Sequence, residues 1–329
     1  DEDSLTMAVE ASRDCIKGFD KSKIDAAYLA SVNFPFQERL NSGILSTALN
    51  LPENVESADF TASNRAGASA LIAGLNAVRT GDYRNVLVAA GHRKITKMAY
   101  LHELWEGDGA AALSIGTEDV IAEFKGAVTI TDDFVDHYRG LNHQFDYNWE
   151  ERWIKDEGFL KIAPKAVKAL MDKTGINGAD IASFVMPCVF GKVPMQIASK
   201  FEIAKEKVSN NLHAVCGDTG PAHSLVLLIT ALENAKPGDK IMMVAFGQGC
   251  SAILFEATEN ITKLKGRNGI KGSLAERKEE QNYIKFLSHR GMLDQDLTIR
   301  AEANWKTALS TLYRNKGMIL GMVGGKCTK

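Results

Sequence analysis

No stretch of the chain approaches the roughly 18 consecutive apolar residues that a membrane-spanning helix requires, so no membrane partner is expected. Cysteine is scarce. Cys15, Cys188, Cys216, Cys250 and Cys327 are odd in number and scattered, and no signal-peptide pattern precedes them. Such usage predicts a reducing, cytoplasmic setting and excludes a disulfide scaffold. Long basic runs are missing too. Residues 258–329 carry 14 Lys+Arg against 7 Asp+Glu, whereas residues 1–257 carry 25 against 34. In this basic tail acids interleave with bases, as in Glu276-Arg277-Lys278-Glu279-Glu280, and aromatics are few. The pattern is that of a solvated helical surface and argues against a nucleic-acid partner.

What is present is globular in character. Hydrophobic residues at 45% and charged residues at 24% exclude disorder and fibres, and 329 residues suffice for a large core and about two domain-sized units. Asp1-Glu2-Asp3-Ser4 leads into an apolar-periodic segment as an N-cap region enters a helix. At the other end the chain stops one residue short of where Cys327 would find the second cysteine of a C-x-x-C knuckle. Both ends read as cut, and the chain as a fragment.

The first 257 residues contain a long repeat. Leu5, Met7, Ala8, Ala11 and Ile16 precede a strand at Asp25-Ala26-Ala27-Tyr28, and Leu160, Ile162, Ala163, Ala166 and Met171 precede one at Asp180-Ile181-Ala182-Ser183. Further on, a small-residue helix over 61–78 runs into the strand VLVAAG after Gly81-Asp82, and a second over 218–235 runs into IMMVAFG after Gly238-Asp239. A period this long means a duplicated domain. The two strands are continuous apolar runs, as in sheets buried on both faces. Each is followed by another strand signal, at Ala110–Ile115 and Ser251–Phe255. The expected division is 1–158 for the first half, 159–257 for the second and 258–329 for a basic helical linker, helical over 274–316. Leu287, Met292, Leu297, Trp305, Leu309 and Leu312 are its expected apolar anchors. Residues 127–158 lose periodicity and collect aromatics, which predicts a packed insertion or a wall of a substrate pocket.

The duplication, with Gly107-Asp108-Gly109-Ala110-Ala111 entering a strand, Phe246-Gly247-Gln248-Gly249 ending another and Gly191-Lys192-Val193-Pro194 after a third, resembles the thiolase superfamily. The branch it looks most like is that of hydroxymethylglutaryl-CoA synthase and ketoacyl synthase III. Over residues 1–257 the resemblance implies a duplicated five-layer αβαβα fold, a homodimer and a coenzyme A thioester substrate. The tail is similar to members with a fused zinc-ribbon and OB-fold module, which implies zinc held through Cys327 in a longer chain.

In that family a cysteine at a helix N-terminus attacks the thioester, its thiolate and the developing oxyanion stabilised by the helix dipole and backbone N–H groups. The resemblance puts Asn64 at that position. The family's general acid/base glutamate matches Val32, its histidine matches Pro187 and its asparagine matches Asp218, while Lys192 keeps the lysine beside the coenzyme A pocket. Cys188, Cys216 and Cys250 are candidate substitutes for the nucleophile, with a buried small hydrophobe as the alternative for each. His223 beside Asp218 is a candidate site residue or a satisfied structural histidine, and Cys15 is expected in the core. The reading is an acyl-CoA-binding acyltransferase. The alternatives are a non-catalytic subunit beside a catalytic thiolase, or a decarboxylase-type variant.

Overall fold

Side-chain alternation along two apolar strands builds the layers. The computed structural model describes residues 2–94, 96–293 and 308–324. The first helix, α1 (Ser4–Cys15), is started by Asp3, whose carboxylate accepts from the Leu5 and Thr6 N–H groups in a capping box, as the sequence predicts. It leads to β1 (Ala26–Ala30), α2 (Asn41–Ala48), β2 (Glu56–Phe60), α3 (Ala66–Thr80), β3 (Asn85–His92) and β4 (Gly109–Gly116). These strands form one sheet in the order β2-β1-β3-β4, with only β4 antiparallel to its neighbour.

The second sheet begins with β5 (Ala122–Thr131). After it come the two-residue strands β6 (His137–Tyr138) and β7 (Tyr147–Asn148), a helical turn α4 (Glu151–Trp153) and a π-helical stretch (Ile154–Phe159). Then follow α5 (Leu160–Thr174), β8 (Ile181–Val185), α6 (Val193–Lys200), α7 (His213–Cys216), α8 (His223–Asn234), β9 (Lys240–Phe246) and β10 (Gly249–Ala257). Its order is β5-β10-β9-β8, with β8 and β9 parallel and β10 antiparallel to both its neighbours. β1, β3 and β4 thus correspond to β8, β9 and β10. Both α3 and α5 stop at a glycine in the left-handed conformation, Gly81 (φ 83°) and Gly175 (φ 70°), where a side chain would be strained.

Five layers follow from the pleat. Val86, Val88 and Ala90 of β3 share a core with α3, α8 and the inward Ile241, Met243 and Ala245 of β9. Leu87 and Ala89 face the other way, onto α1 and α2. Met242 and Val244 face α5 and α6. The expected αβαβα arrangement is present, with α3 and α8 side by side at its centre. Small residues permit the approach: a Cβ on Gly67 of α3 would lie 2.1 Å from the Pro221 carbonyl oxygen just ahead of α8.

Two expectations are corrected. Residues 127–131 are not irregular; they continue β5, which hydrogen-bonds β10, so residues 122–131 lie in the second sheet and not with 1–158. Among the described residues the tail is not one continuous helix over 274–316. These residues form short helices, α9 (Gly269–Ala275), α10 (Tyr283–His289), α11 (Leu309–Arg314) and α12 (Lys316–Ile319). Leu287 is a buried anchor, but Leu309 is exposed, and Leu297, Trp305 and Cys327 lie outside the described residues. Polar groups do much of the docking: the Asp14 carboxylate accepts from the Asn268 and Gly269 N–H groups, and Glu233 from Ile270. Among the described residues no helix is long and apolar enough to cross a membrane.

Candidate functional site

The turn before α3 and the turn before α8 meet at the centre of the molecule through Gly67 and Pro221. Asn64 sits in the first of these turns, where the first N–H groups of a 15-residue helix lack intrahelical partners. Its side-chain oxygen is buried and has no hydrogen-bond partner among the described residues. The strand turn Gly247-Gln248-Gly249 closes over it. Ser63 Oγ and Arg65 Nε both donate to the Gly247 carbonyl, at 2.7 and 3.0 Å, and a Cβ on Gly247 would lie 3.1 Å from the Asn64 nitrogen. Only glycine lets the turn come this close.

In the second turn, Asp218 is held on both backbone sides by the first half: its N–H donates to the Trp105 carbonyl and its carbonyl accepts from Gly107 (2.9 Å). Its carboxylate accepts from the Gly220 N–H at 2.9 Å. His223 is fully buried. Its Nδ1 accepts from the Thr219 N–H (3.1 Å) and its Nε2 donates to the Asn211 carbonyl (2.8 Å), so both ring nitrogens are engaged. His213, Asp218 and His223 offer ligand atoms within 4.8 Å of one another. A metal there would have to break the bonds of His223. His213 differs. Its Nε2 is buried without a partner among the described residues, and burial lowers its pKa below the ordinary value, which keeps the ring neutral.

The thiols are placed less favourably for nucleophilic attack. Cys188 lies in the outer core with Phe184 and Ile197, and burial pushes its thiol far up. Cys250 is buried next to Arg65 and is pushed up to about 12 by burial, against a smaller opposing effect of the guanidinium. Cys216, at the end of α7, is half-buried and raised to about 11, by burial first and Asp218 second. None approaches the depressed pKa of an activated thiolate. Cys15 is raised to about 12 by burial. Lys192 is exposed at the start of α6, while Val32 and Pro187 are half-buried.

A charged network absent from the sequence-based candidates lies at the end of β3. Lys94 Nζ is 2.7 Å from Glu106 and 2.8 Å from Asp146, and His92 Nε2 is 3.1 Å from the other Glu106 oxygen. Arg139 bonds Asp146 (3.0 Å) and the Val32 carbonyl (2.7 Å), and His137 pairs with Asp136 (3.2 Å). Burial opposes the charges of Lys94, Glu106 and Asp146, yet Lys94 stays above its ordinary pKa because Glu106 and Asp146 outweigh it. For the same reason Glu106 and Asp146 stay below theirs beside Lys94. The network ties the 132–150 insertion to the body, and Phe145 and Tyr147 line a cavity of about 230 Å³ with Lys94, Tyr100 and His102. The insertion is therefore packed against the body and lines this cavity. The one sequence signal was a lysine and a histidine at the end of an otherwise apolar buried strand.

This docking should depend on pH. Burial opposes the charge on His137, but Asp136 more than offsets it and raises the pKa above 6.5. Its contribution is fully present below pH 6.5 and lost as pH rises through the raised value. Asp146 and Glu106, lowered from 3.8 and 4.5, contribute above those values and lose their contributions as pH falls through the folded ones. Limited proteolysis of the insertion should be slowest between about pH 5 and 6, and His137→Asn should remove the rise in cleavage on the alkaline side. Cleavage independent of pH in the parent protein would contradict the assignment.

Comparison with known proteins agrees with this architecture. The family described as 3-oxoacyl-[acyl-carrier-protein] synthase III, C terminal, matches residues 171–256. A crystal structure of an HMG-CoA synthase complexed with CoA aligns with a TM-score of 0.77 at 17% identity, covering 93% of this chain and 82% of that one. The 3-oxoacyl-[acyl-carrier-protein] synthase III of Aquifex aeolicus aligns with a TM-score of 0.69 at 18% identity, covering 78% and 85%. These likenesses define the class, a thiolase-like α/β fold. In sequence, the hydroxymethylglutaryl-CoA synthase of Pyrobaculum aerophilum is 30% identical over 268 residues, 80% of this chain and 76% of the relative. That of Methanocella arvoryzae is 27% identical over 300 residues, 90% and 86%. The chain belongs to the hydroxymethylglutaryl-CoA synthase family.

Proposed function

We propose that this protein is an acyl-CoA-binding acyltransferase of the hydroxymethylglutaryl-CoA synthase type, making or breaking a carbon–carbon bond beside an acyl thioester, with Asn64 at the nucleophile position. The seat of Asn64 carries the reading: a half-buried side chain before the central helix whose carboxamide oxygen is buried and, among the described residues, unpartnered, with the Gly247 turn close over it. A thioester carbonyl placed there meets helix N–H donors, and the carboxamide with its NH₂ turned inward donates one more. That set stabilises an oxyanion or enolate. It cannot form an acyl-enzyme through residue 64. His213, neutral and with an Nε2 that has no partner among the described residues, is the group assigned to proton transfer, and Lys192 to the coenzyme A phosphates.

A second reading, a decarboxylase-type variant or a non-catalytic subunit beside a catalytic thiolase, is favoured by one observation: the Cys188, Cys216 and Cys250 thiols are all raised by burial. A homodimer and zinc held through Cys327 belong to the broader proposal, and no step of the chemistry passes through zinc.

Asn64→Cys tests the site. The new thiol should be alkylated at least about ten times faster than the native thiols, which are protonated and buried. Intact-mass measurement with a short acyl-CoA should then find an adduct at position 64, and none there in the parent protein. An adduct on a native cysteine would mean a displaced nucleophile. Bound coenzyme A with no adduct on any native thiol would favour the second reading. An inert, unacylated Cys at position 64 would remove the site assignment.

A further inference from the structure

The tail touches the body on both sides of the seam between the two halves. On the first half it grips the 93–108 segment that joins β3 to β4. Leu287 is the buried residue of α10, and polar bonds flank it along the chain. Arg290 donates to the Lys94 carbonyl at 2.8 Å and pairs with the Asp108 carboxylate, and Arg93 donates to the His289 carbonyl at 2.8 Å. The Tyr283 hydroxyl donates to Glu103 at 2.8 Å and accepts from the Ala99 N–H at 3.3 Å. On the second half the grip is on α7, where Arg277 donates to the Val215 carbonyl at 2.9 Å. A four-residue helix cannot satisfy its last carbonyls internally, so this bond comes from outside.

Both gripped segments are strained, and both border Asp218. Ala99 (φ 55°) and Leu212 (φ 57°), the residue before α7, lie in the left-handed region. That conformation is unfavourable for a residue with a Cβ and persists where the surrounding bonds over-determine it. Between the segments lies the second turn of the candidate site. The Asp218 N–H donates to the Trp105 carbonyl, the Gly107 N–H donates to the Asp218 carbonyl, and a Cβ on Gly107 would lie 1.8 Å from the Cys216 carbonyl oxygen. A seam this tight has no slack, so a small shift of either segment breaks the bonds that hold Asp218.

We propose that residues 277–290 form a latch across this seam, with Arg277 and Arg290 as positioning residues for the candidate site. Arg290 keeps the 105–108 segment against Asp218, and Arg277 keeps α7, with His213, in its strained place. Both act through backbone that neighbouring residues share with the site. The Arg290 side chain is 9% exposed and its guanidinium lies 5.4 Å from the centre of the Phe286 ring, so its bonds are sheltered from water. Arg277 is exposed, and its bond is the weaker hold. Any part the two arginines play in catalysis rests on the acyltransferase reading above, whereas the latch itself does not. Drawing residues 277–290 off the body would loosen both Asp218 and His213.

The test follows amide hydrogen exchange in the whole chain without substrate. Arg290→Ala should make the Gly107 and Asp218 amides exchange at least about ten times faster while those of β9 stay unchanged. Arg290→Lys, which keeps a charge beside Asp108, should recover part of the protection. Arg277→Ala should speed exchange at Cys216 and Gly217, whose N–H groups donate to the Leu212 and His213 carbonyls. The His213 ring supplies a second readout. Asp218, His223 and Glu106 face it, and burial holds its pKa below 6.5. With α7 released, water reaches the ring, and its titration followed by NMR should move up towards 6.5. Unchanged exchange at Gly107 and Asp218 in Arg290→Ala would overturn the proposal. So would an increase of equal size throughout β9, which would mean a general loss of stability. Arg277→Ala with unchanged α7 exchange and unchanged His213 titration would overturn the role of Arg277. Coenzyme A binding is measured alongside: a parent protein that binds none, with these amides responding as expected, would remove the acyltransferase reading and leave the latch standing.

Discussion

Replacing Lys94 by methionine should destabilise the protein by about 3–5 kcal/mol, the usual cost of removing one partner from a buried ion pair. The side chain is 6% exposed and stands between two carboxylates, Glu106 and Asp146, that are themselves 13% and 7% exposed. Methionine preserves the apolar stem and removes the charge, so hydrophobic packing does not account for the loss. Among the described residues Glu106 would keep His92 as a partner, and Asp146 would keep Arg139 and His137. Urea unfolding measures the effect. Adding Glu106→Gln to Lys94→Met should restore part of the loss, because a neutral amide is less costly to bury than an unpaired carboxylate. A single-mutant loss below about 1 kcal/mol would show the network to be solvated and equivalent to a surface pair.

The second large effect is at Gly67. In a helix interior alanine is ordinarily better than glycine by about 1 kcal/mol, so propensity alone favours Gly67→Ala. The tertiary contact reverses the sign. The new Cβ would lie 2.1 Å from the Pro221 carbonyl oxygen, an overlap with backbone that no rotamer change relieves. Separating α3 from the α8 turn should cost about 3 kcal/mol net, at the upper end for overpacking, and should carry Asn64 away from the Gly247 turn. Asn76→Ala, at an exposed position of the same helix, is the control and should stabilise slightly. If both variants gain stability in thermal unfolding, the two helix starts are not in contact and the central layer is misassigned.

The duplication, the strands VLVAAG and IMMVAFG and the small-residue helices between them were legible because each rests on local pattern. A strand buried on both faces must be apolar throughout, and two helices in close contact must begin with Ala, Gly or Ser. Asn64, Asp218 and the Gly247 turn were legible only through the family resemblance, since none has a distinctive spacing of its own. The structure brings their turns together, and it also separates candidates that looked alike. Cys188 is buried in a core and His223 is hydrogen-bonded at a helix start, while His213, which no pattern singled out, has a ring nitrogen without a partner among the described residues.

By itself, then, the sequence determined the layers, their repetition and the order of elements, because hydrophobic periodicity is a property of neighbours along the chain. Only the tertiary structure decided which charges meet. His92, Lys94, Glu106, Arg139 and Asp146 converge because the end of β3, the segment before β4 and the insertion close on one another. The pairing of β5 with β10 belongs to the same class of fact. Strand partnership depends on which backbone edges face each other in space, and an apolar pattern states that a strand will be buried without stating beside what.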